Sequence, residues 1–154
     1  MKAVKWGPVL LVAVFPYTPF CLLAWNGDFR AIELFWLIGL AGAAAVFLTA
    51  KRWSPRELAL ASMLVKLVQI PAYVFWFVIG VGLFLFMGPL LAFVIDAMAI
   101  ILTGLLGLAA VLRCRKAGVL TTGWAALCGI LQFFFCVDVV SAVILFIKAK
   151  EVSQ

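Results

Sequence analysis

Two aspartates, Asp96 and Asp138, stand inside stretches that are otherwise almost wholly apolar, "LLAFVIDAMAIILTGLLGLAAVL" and "GILQFFFCVDVVSAVILFI". A carboxyl group in such surroundings can bind a cation, relay a proton or accept a hydrogen bond from a neighbouring helix. In each case it must face other protein, be protonated or have a partner. At about 100° per helical residue, Asp96 shares a face with Thr103, Gly107 and Ala110, and Asp138 shares one with Ser141 and Ala142. Small neighbours of this kind let helices approach closely. Two roles fit these faces. The aspartates approach one another and share a proton or cation, or each accepts a hydrogen bond from a hydroxyl or backbone group and locks their two helices together.

A second polar group lies in "SMLVKLVQIPAYVFWF", residues 62–77. Ser62, Lys66, Gln69, Tyr73, Trp76 and Gly80 fall within about 40° of one line along a helix, a polar stripe running into an aromatic one. Unpaired polar atoms facing lipid are costly, so the stripe is expected to face other helices. Pro71 lies beside it and frees a backbone carbonyl one turn earlier. Counted back from Met87, Lys66 falls about 31 Å from the far end of its helix, near an interface where a lysine can snorkel to water. Anchoring combined with helix packing is the simpler role for Lys66; the mouth of a polar path is the other.

Other chemistry is thin. Histidine is absent, which removes the usual general base and the commonest metal ligand. Cys21, Cys114, Cys128 and Cys136 include no CxxC pair, so neither a thiol redox site nor a zinc site is supported. Cys128, Gln132 and Cys136 repeat on one helix face and are most simply packing residues with one hydrogen-bonding side chain. No glycine-rich phosphate loop and no nucleophile with its base can be traced. No catalytic residue, metal ligand or cofactor is therefore assigned, and an enzyme is not expected. The candidate proton, ion or polar-core residues are Asp96, Asp138, Lys66, Gln69, Tyr73, Thr103 and Ser141.

The elements that must position these residues follow from composition. With 68% hydrophobic residues, 12% charged residues and a mean hydropathy of +1.29, the 154-residue chain lies far from the soluble range. Five apolar runs approach or exceed the roughly 20 helical residues that cross a hydrocarbon core. They lie near 8–25, 31–50, 66–87, 89–112 and 124–147, with an interfacial helix start over 55–65. The third and fourth runs form one stretch broken only at Met87, Gly88 and Pro89, which must be a tight two-helix hairpin. Ser54, Pro55 and Glu57 predict a capping box at the start of the third helix. Pro16 and Pro19 should bend or break the first helix, and they argue with Trp25 against a cleaved signal peptide. Gly39 and Gly42 mark a packing face of the second run.

Charge sets the expected orientation. Lys2 and Lys5, then Lys51, Arg52 and Arg56, then Arg113, Arg115 and Lys116 fall on one side if the Met87–Pro89 hairpin is real. Asp28, Arg30, Glu33 and the tail with Lys148, Lys150 and Glu151 are left for the other. The net charge of +6 is thus explained by topology rather than by nucleic acid, and the N-terminus is expected in the cytoplasm.

The strings "KLVQIPAYVFWFVIGV" (66–81) and "GILQFFFCVDVVSAVILFIK" (129–148) resemble recurring segments of a group of small, uncharacterised multi-pass membrane proteins from bacteria. In that group a lysine precedes an "IP.Y" element, and an aspartate followed by "SA" lies in the last span. The resemblance covers residues 54–150 and implies a bacterial cytoplasmic membrane protein. It carries no activity across, but it draws attention to Lys66, Pro71, Tyr73, Asp138 and Ser141.

The expected architecture is an all-α integral membrane bundle of five transmembrane helices in one domain, residues 1–154, with the N-terminus cytoplasmic and the C-terminus external. Its expected partners are the lipid bilayer and either further copies of itself or another membrane protein. Two functions fit. One is a non-enzymatic membrane subunit or accessory protein with a polar helix-packing core. The other is a small proton- or cation-coupled transporter or channel using Asp96 and Asp138.

Overall fold

The computed structural model describes residues 2–19, 21, 29–86, 88–134 and 137–151, and every regular element among them is helical. The helices that position the site are α1 (Lys2–Val14), α2 (Phe29–Thr49), α3 (Pro55–Gly82), α4 (Gly88–Lys116), α5 (Thr122–Leu131) and α6 (Val137–Glu151). Three of them, α2, α3 and α4, are long and apolar enough to cross a membrane.

The local signals act as their chemistry requires. Ser54 Oγ accepts from the Glu57 backbone N at 3.1 Å while Glu57 Oε2 accepts from the Ser54 N at 3.1 Å, so two otherwise unpaired donors at the start of α3 are satisfied. Helices α3 and α4 form the expected hairpin and the most extensive helix pair. A 3₁₀ turn at Phe84–Phe86 leads to Gly88, whose N donates to Leu83 O at 3.0 Å. A Cβ at Gly88 would stand 2.6 Å from that same oxygen, which is why glycine is needed there. Met87 itself lies outside the described residues. Helix α1 stops at Val14 and passes into a 3₁₀ turn at Phe15–Tyr17 that contains Pro16, as expected of a proline there. Of the remainder of the expected first span, residues 20 and 22–25 fall outside the described residues, as does Asp28 beyond it.

Packing ties the helices side by side. An added Cβ at Gly39 of α2 would lie 2.8 Å from Leu102 of α4, and one at Gly42 would lie 2.9 Å from the Pro8 carbonyl of α1. Both glycines are therefore contact points, as the sequence suggests. One buried cluster includes Val12, Ala43, Leu58, Leu102, Leu106 and Leu145, with every named helix contributing to it.

The expected continuous helix over 124–147 is not formed. The chain turns at Gln132–Phe134, and α5 and α6 lie antiparallel as a short hairpin. Close to the turn, Gln132 Nε2 donates to Ser141 Oγ at 3.1 Å; further along, Ser141 Oγ donates to Cys128 O at 3.5 Å. At the open end, Lys148 Nζ stands 4.3 Å from the centre of the Trp124 ring. The interruption has a use: a helix end leaves backbone carbonyls unpaired, and the freed Gln132 carbonyl accepts from Lys66.

This hairpin also corrects the expected placement of the C-terminal segment. Lys5 Nζ donates to Arg52 O at 3.1 Å, Trp6 meets Trp53 edge to face at 5.6 Å, and Arg113 Nε donates to Trp53 O at 2.9 Å. Those contacts bring the start of α1, the α2–α3 joint and the end of α4 to one end of the bundle. Because α5 departs from that end and α6 returns to it, Lys148 lies at the same end as Lys5 rather than opposite.

Candidate functional site: a buried charge pair at a hairpin tip

The helical stripe of α3 is buried along its whole length, with Ser62, Lys66, Gln69, Tyr73, Trp76 and Gly80 all facing other helices. Lys66 does not snorkel. It is 1% exposed, and its Nζ lies 2.7 Å from Asp138 Oδ2 and 3.4 Å from Gln132 O. Both acceptors come from the tip of the α5–α6 hairpin. The expectation of an interfacial lysine fails because an ammonium that gains a carboxylate and a free carbonyl has no need to reach water. Asp138 stands in the first turn of α6, where the helix dipole also favours negative charge.

The tip is held by shape as well as charge. An added Cβ at Gly107 of α4 would meet Gln132 Oε1 at 2.0 Å, and one at Gly104 would meet the Phe133 ring at 2.4 Å. The "GLLG" segment of α4 is thus a notch that admits the tip. Gln132 Oε1 has no conventional hydrogen-bond partner and rests instead on the bare Gly107 backbone.

Further along the stripe, α3 secures the end of α1. Gln69 Nε2 donates to Val12 O at 2.7 Å, and Trp76 Nε1 donates to Pro16 O at 2.9 Å. Val12 lies in the last turn of α1, whose carbonyls lack helical donors. Tyr73 donates to Gln69 Oε1 at 3.0 Å, orienting the amide. In the turn before Pro71, the Tyr17 hydroxyl donates to the Val68 carbonyl.

The two aspartates have separate surroundings. Asp138 is engaged by Lys66, whereas Asp96 is half-buried and its Oδ1 has no hydrogen-bond partner. Thr103 shares the face of Asp96 but turns its hydroxyl back onto its own helix, to Ala99 O at 3.2 Å. Asp96 lines a groove of about 710 Å³ between α3 and α4, closed at one end by Phe133 of the hairpin tip. Ser62 Oγ, one turn before Lys66, is also buried without a partner.

Of the residues the sequence singles out, the structure brings Lys66, Asp138 and Ser141 together, with Gln69 and Tyr73 one to two turns along α3. Asp96 is not part of that group, and Thr103 of α4 meets the stripe at the Tyr73 hydroxyl. Sequence reasoning missed the Lys66–Asp138 contact, the Gln132 carbonyl and the role of Gly104. The available signal for the first was charge alone: a lysine and an aspartate in apolar runs are least costly when paired with each other. Chemically the arrangement is a charge-assisted clamp between α3 and the hairpin tip.

Residues 29–151 match a family of unknown function (DUF6652), and the chain belongs to that family. No curated protein and no solved structure matches it.

Proposed function

We propose that this member of DUF6652 is an integral membrane protein without catalytic activity, a subunit or accessory protein whose buried polar residues fix how its helices pair. The observation that carries the proposal is the 2.7 Å Lys66–Asp138 contact at the hairpin tip. Each charge is neutralised by the other, and the neighbouring amides and hydroxyls tie one helix to the next. In this reading α2, α3 and α4 cross the bilayer, the apolar run that α1 begins crosses with the chain beyond it, and the α5–α6 hairpin is re-entrant. The 10 residues of α5 rise about 15 Å, half of a hydrocarbon core about 30 Å thick. The charge pair then lies near the bilayer centre. Lys5, Arg52, Arg113 and Lys148 share one end, and the positive-inside rule assigns that end, with both chain termini, to the cytoplasm. The resemblance of residues 54–150 to bacterial proteins favours a bacterial cell membrane.

A second reading, proton or cation transport through Asp96 and Asp138, draws support from the broken backbone at the hairpin tip. Non-helical backbone at membrane depth is tolerated where it is buried in protein or lines a water-filled cavity. Purified protein in liposomes separates the two. Under the first reading, proton and potassium flux stays at the level of empty liposomes. Flux that Asp138→Asn or Asp96→Asn abolishes would transfer the support to transport.

A further inference from the structure

We infer that the groove beside Asp96 is the docking site for a transmembrane helix of a different protein, one that presents a basic side chain or other hydrogen-bond donor to the Asp96 carboxyl group. This inference rests on the membrane reading above. The groove exists because the α5–α6 hairpin stops part of the way along the bundle, at Phe133, and leaves the outer halves of α3 and α4 without a covering layer. Its floor is small: Gly80 and Ala92 meet there so closely that a Cβ on Gly80 would lie 2.9 Å from that of Ala92. Its rims are large and uncovered, with Phe77 at 67%, Phe84 at 72% and Phe93 at 70% exposure. From Pro89 to Ile101 the groove follows about 18 Å of α4, roughly three helical turns. A small-residue floor between bulky rims suits the close approach of a further helix.

Asp96 supplies the chemistry. Its carboxyl group has no hydrogen bond or ion pair among the described residues: Oδ1 is shielded, and the half-buried group lines a groove wall that is otherwise apolar. A lipid acyl chain would leave the carboxyl group unpaired, at the cost of an unmatched polar group in hydrocarbon. A second copy of this chain does no better. Among the described residues, the exposed side chains of α2 to α6 away from the helix ends are apolar and bring no donor. Those apolar faces point to a donor from another chain, at a depth of about 10 Å from the Pro89 end of α4.

The test uses two synthetic transmembrane peptides, each a Leu/Ala helix of about 20 residues. One carries a single Lys about 10 Å from its outer end and the other has Leu there. Energy transfer from labelled peptide to the labelled full-length protein in liposomes reports association. The expected result is about tenfold tighter association of the Lys peptide. Asp96→Leu should erase that preference, and Ala97→Trp, which fills the groove, should weaken both peptides. Equal association of the two peptides overturns the inference, as does a preference that Asp96→Leu leaves intact. So does the absence of any association, which would leave the groove to lipid. Energy transfer between two labelled copies of the chain, abolished by Ala97→Trp, also overturns it in favour of self-association. Should Asp96→Leu not fold, the Lys and Leu peptides compared on wild type and Ala97→Trp still decide. Flux in peptide-free liposomes is measured separately, so a conducting protein and an unoccupied groove are distinguishable failures.

Discussion

Gln132 rests against Gly107 so closely that a single added methyl group on the glycine would stand 2.0 Å from the glutamine's Oε1. The tip of the hairpin is seated in α4 by this contact and by Phe133 against Gly104. Gly107→Ala should therefore destabilise the protein by about 1–3 kcal/mol through overpacking. Gly123→Ala, where nothing lies within 4 Å, should be neutral or gain up to about 1 kcal/mol from helix propensity. Thermal unfolding in detergent, followed by far-ultraviolet circular dichroism, compares the two. Equal effects would mean that the tip does not occupy the notch.

Removing one member of the Lys66–Asp138 pair strands the other in an apolar interior. Lys66→Met or Asp138→Leu alone should cost about 3–5 kcal/mol, and the double substitution should recover most of that loss. A double-mutant cycle on unfolding in detergent measures the coupling. Additive effects of the two changes would show that the charges do not meet.

Sidedness follows from the returning arm of the hairpin. In a variant whose four native cysteines are replaced, single cysteines at Lys5 and Lys150 should react with a membrane-impermeant maleimide from the same side. Labelling of intact cells and of inverted vesicles reads this directly. Reaction from opposite sides would restore a through-going helix over 124–147.

Trp76 and Tyr17 both donate to backbone carbonyls, but only Trp76 is buried, at 2% exposure. Trp76→Phe leaves the Pro16 carbonyl without its donor and should cost about 1–3 kcal/mol. Tyr17→Phe acts at a partly exposed side chain whose acceptor lies within the continuous helix α3, and should cost less, about 0.5–1.5 kcal/mol. Unfolding midpoints of the two variants give the order, and a larger loss at Tyr17 would contradict the burial of the α1 end.

Local structure was largely legible in the sequence. Ser54, Pro55 and Glu57 carry their capping geometry in their spacing, and Met87–Pro89 could only be a turn because the apolar stretch around it is too long for one crossing. The stripe from Ser62 to Gly80 was legible because burial follows helical periodicity. The turn after Leu131 was not, since "LQFFFCVD" contains neither proline nor glycine and its hydropathy is continuous. That one omission displaced the rest. Treating 124–147 as a single helix put Asp138 at a different depth from Lys66 and sent the chain to the wrong end. It also grouped Asp138 with Asp96 as a second carboxylate, when its partner was a cation on α3. Pairings across 72 residues depend on where turns fall, and residue types alone do not encode that.

The distance in sequence between Lys66 and Asp138 has a consequence for biosynthesis. The ribosome delivers the ammonium 72 residues before the carboxylate that neutralises it, so a nascent chain holding only α1 to α4 carries an orphan cation on the face of α3 that the last hairpin is to cover. Completion of the last hairpin discharges it. Translation that stops short of Asp138 therefore yields a product with an exposed flaw, the kind of feature by which membrane quality control distinguishes an unfinished chain from a finished one.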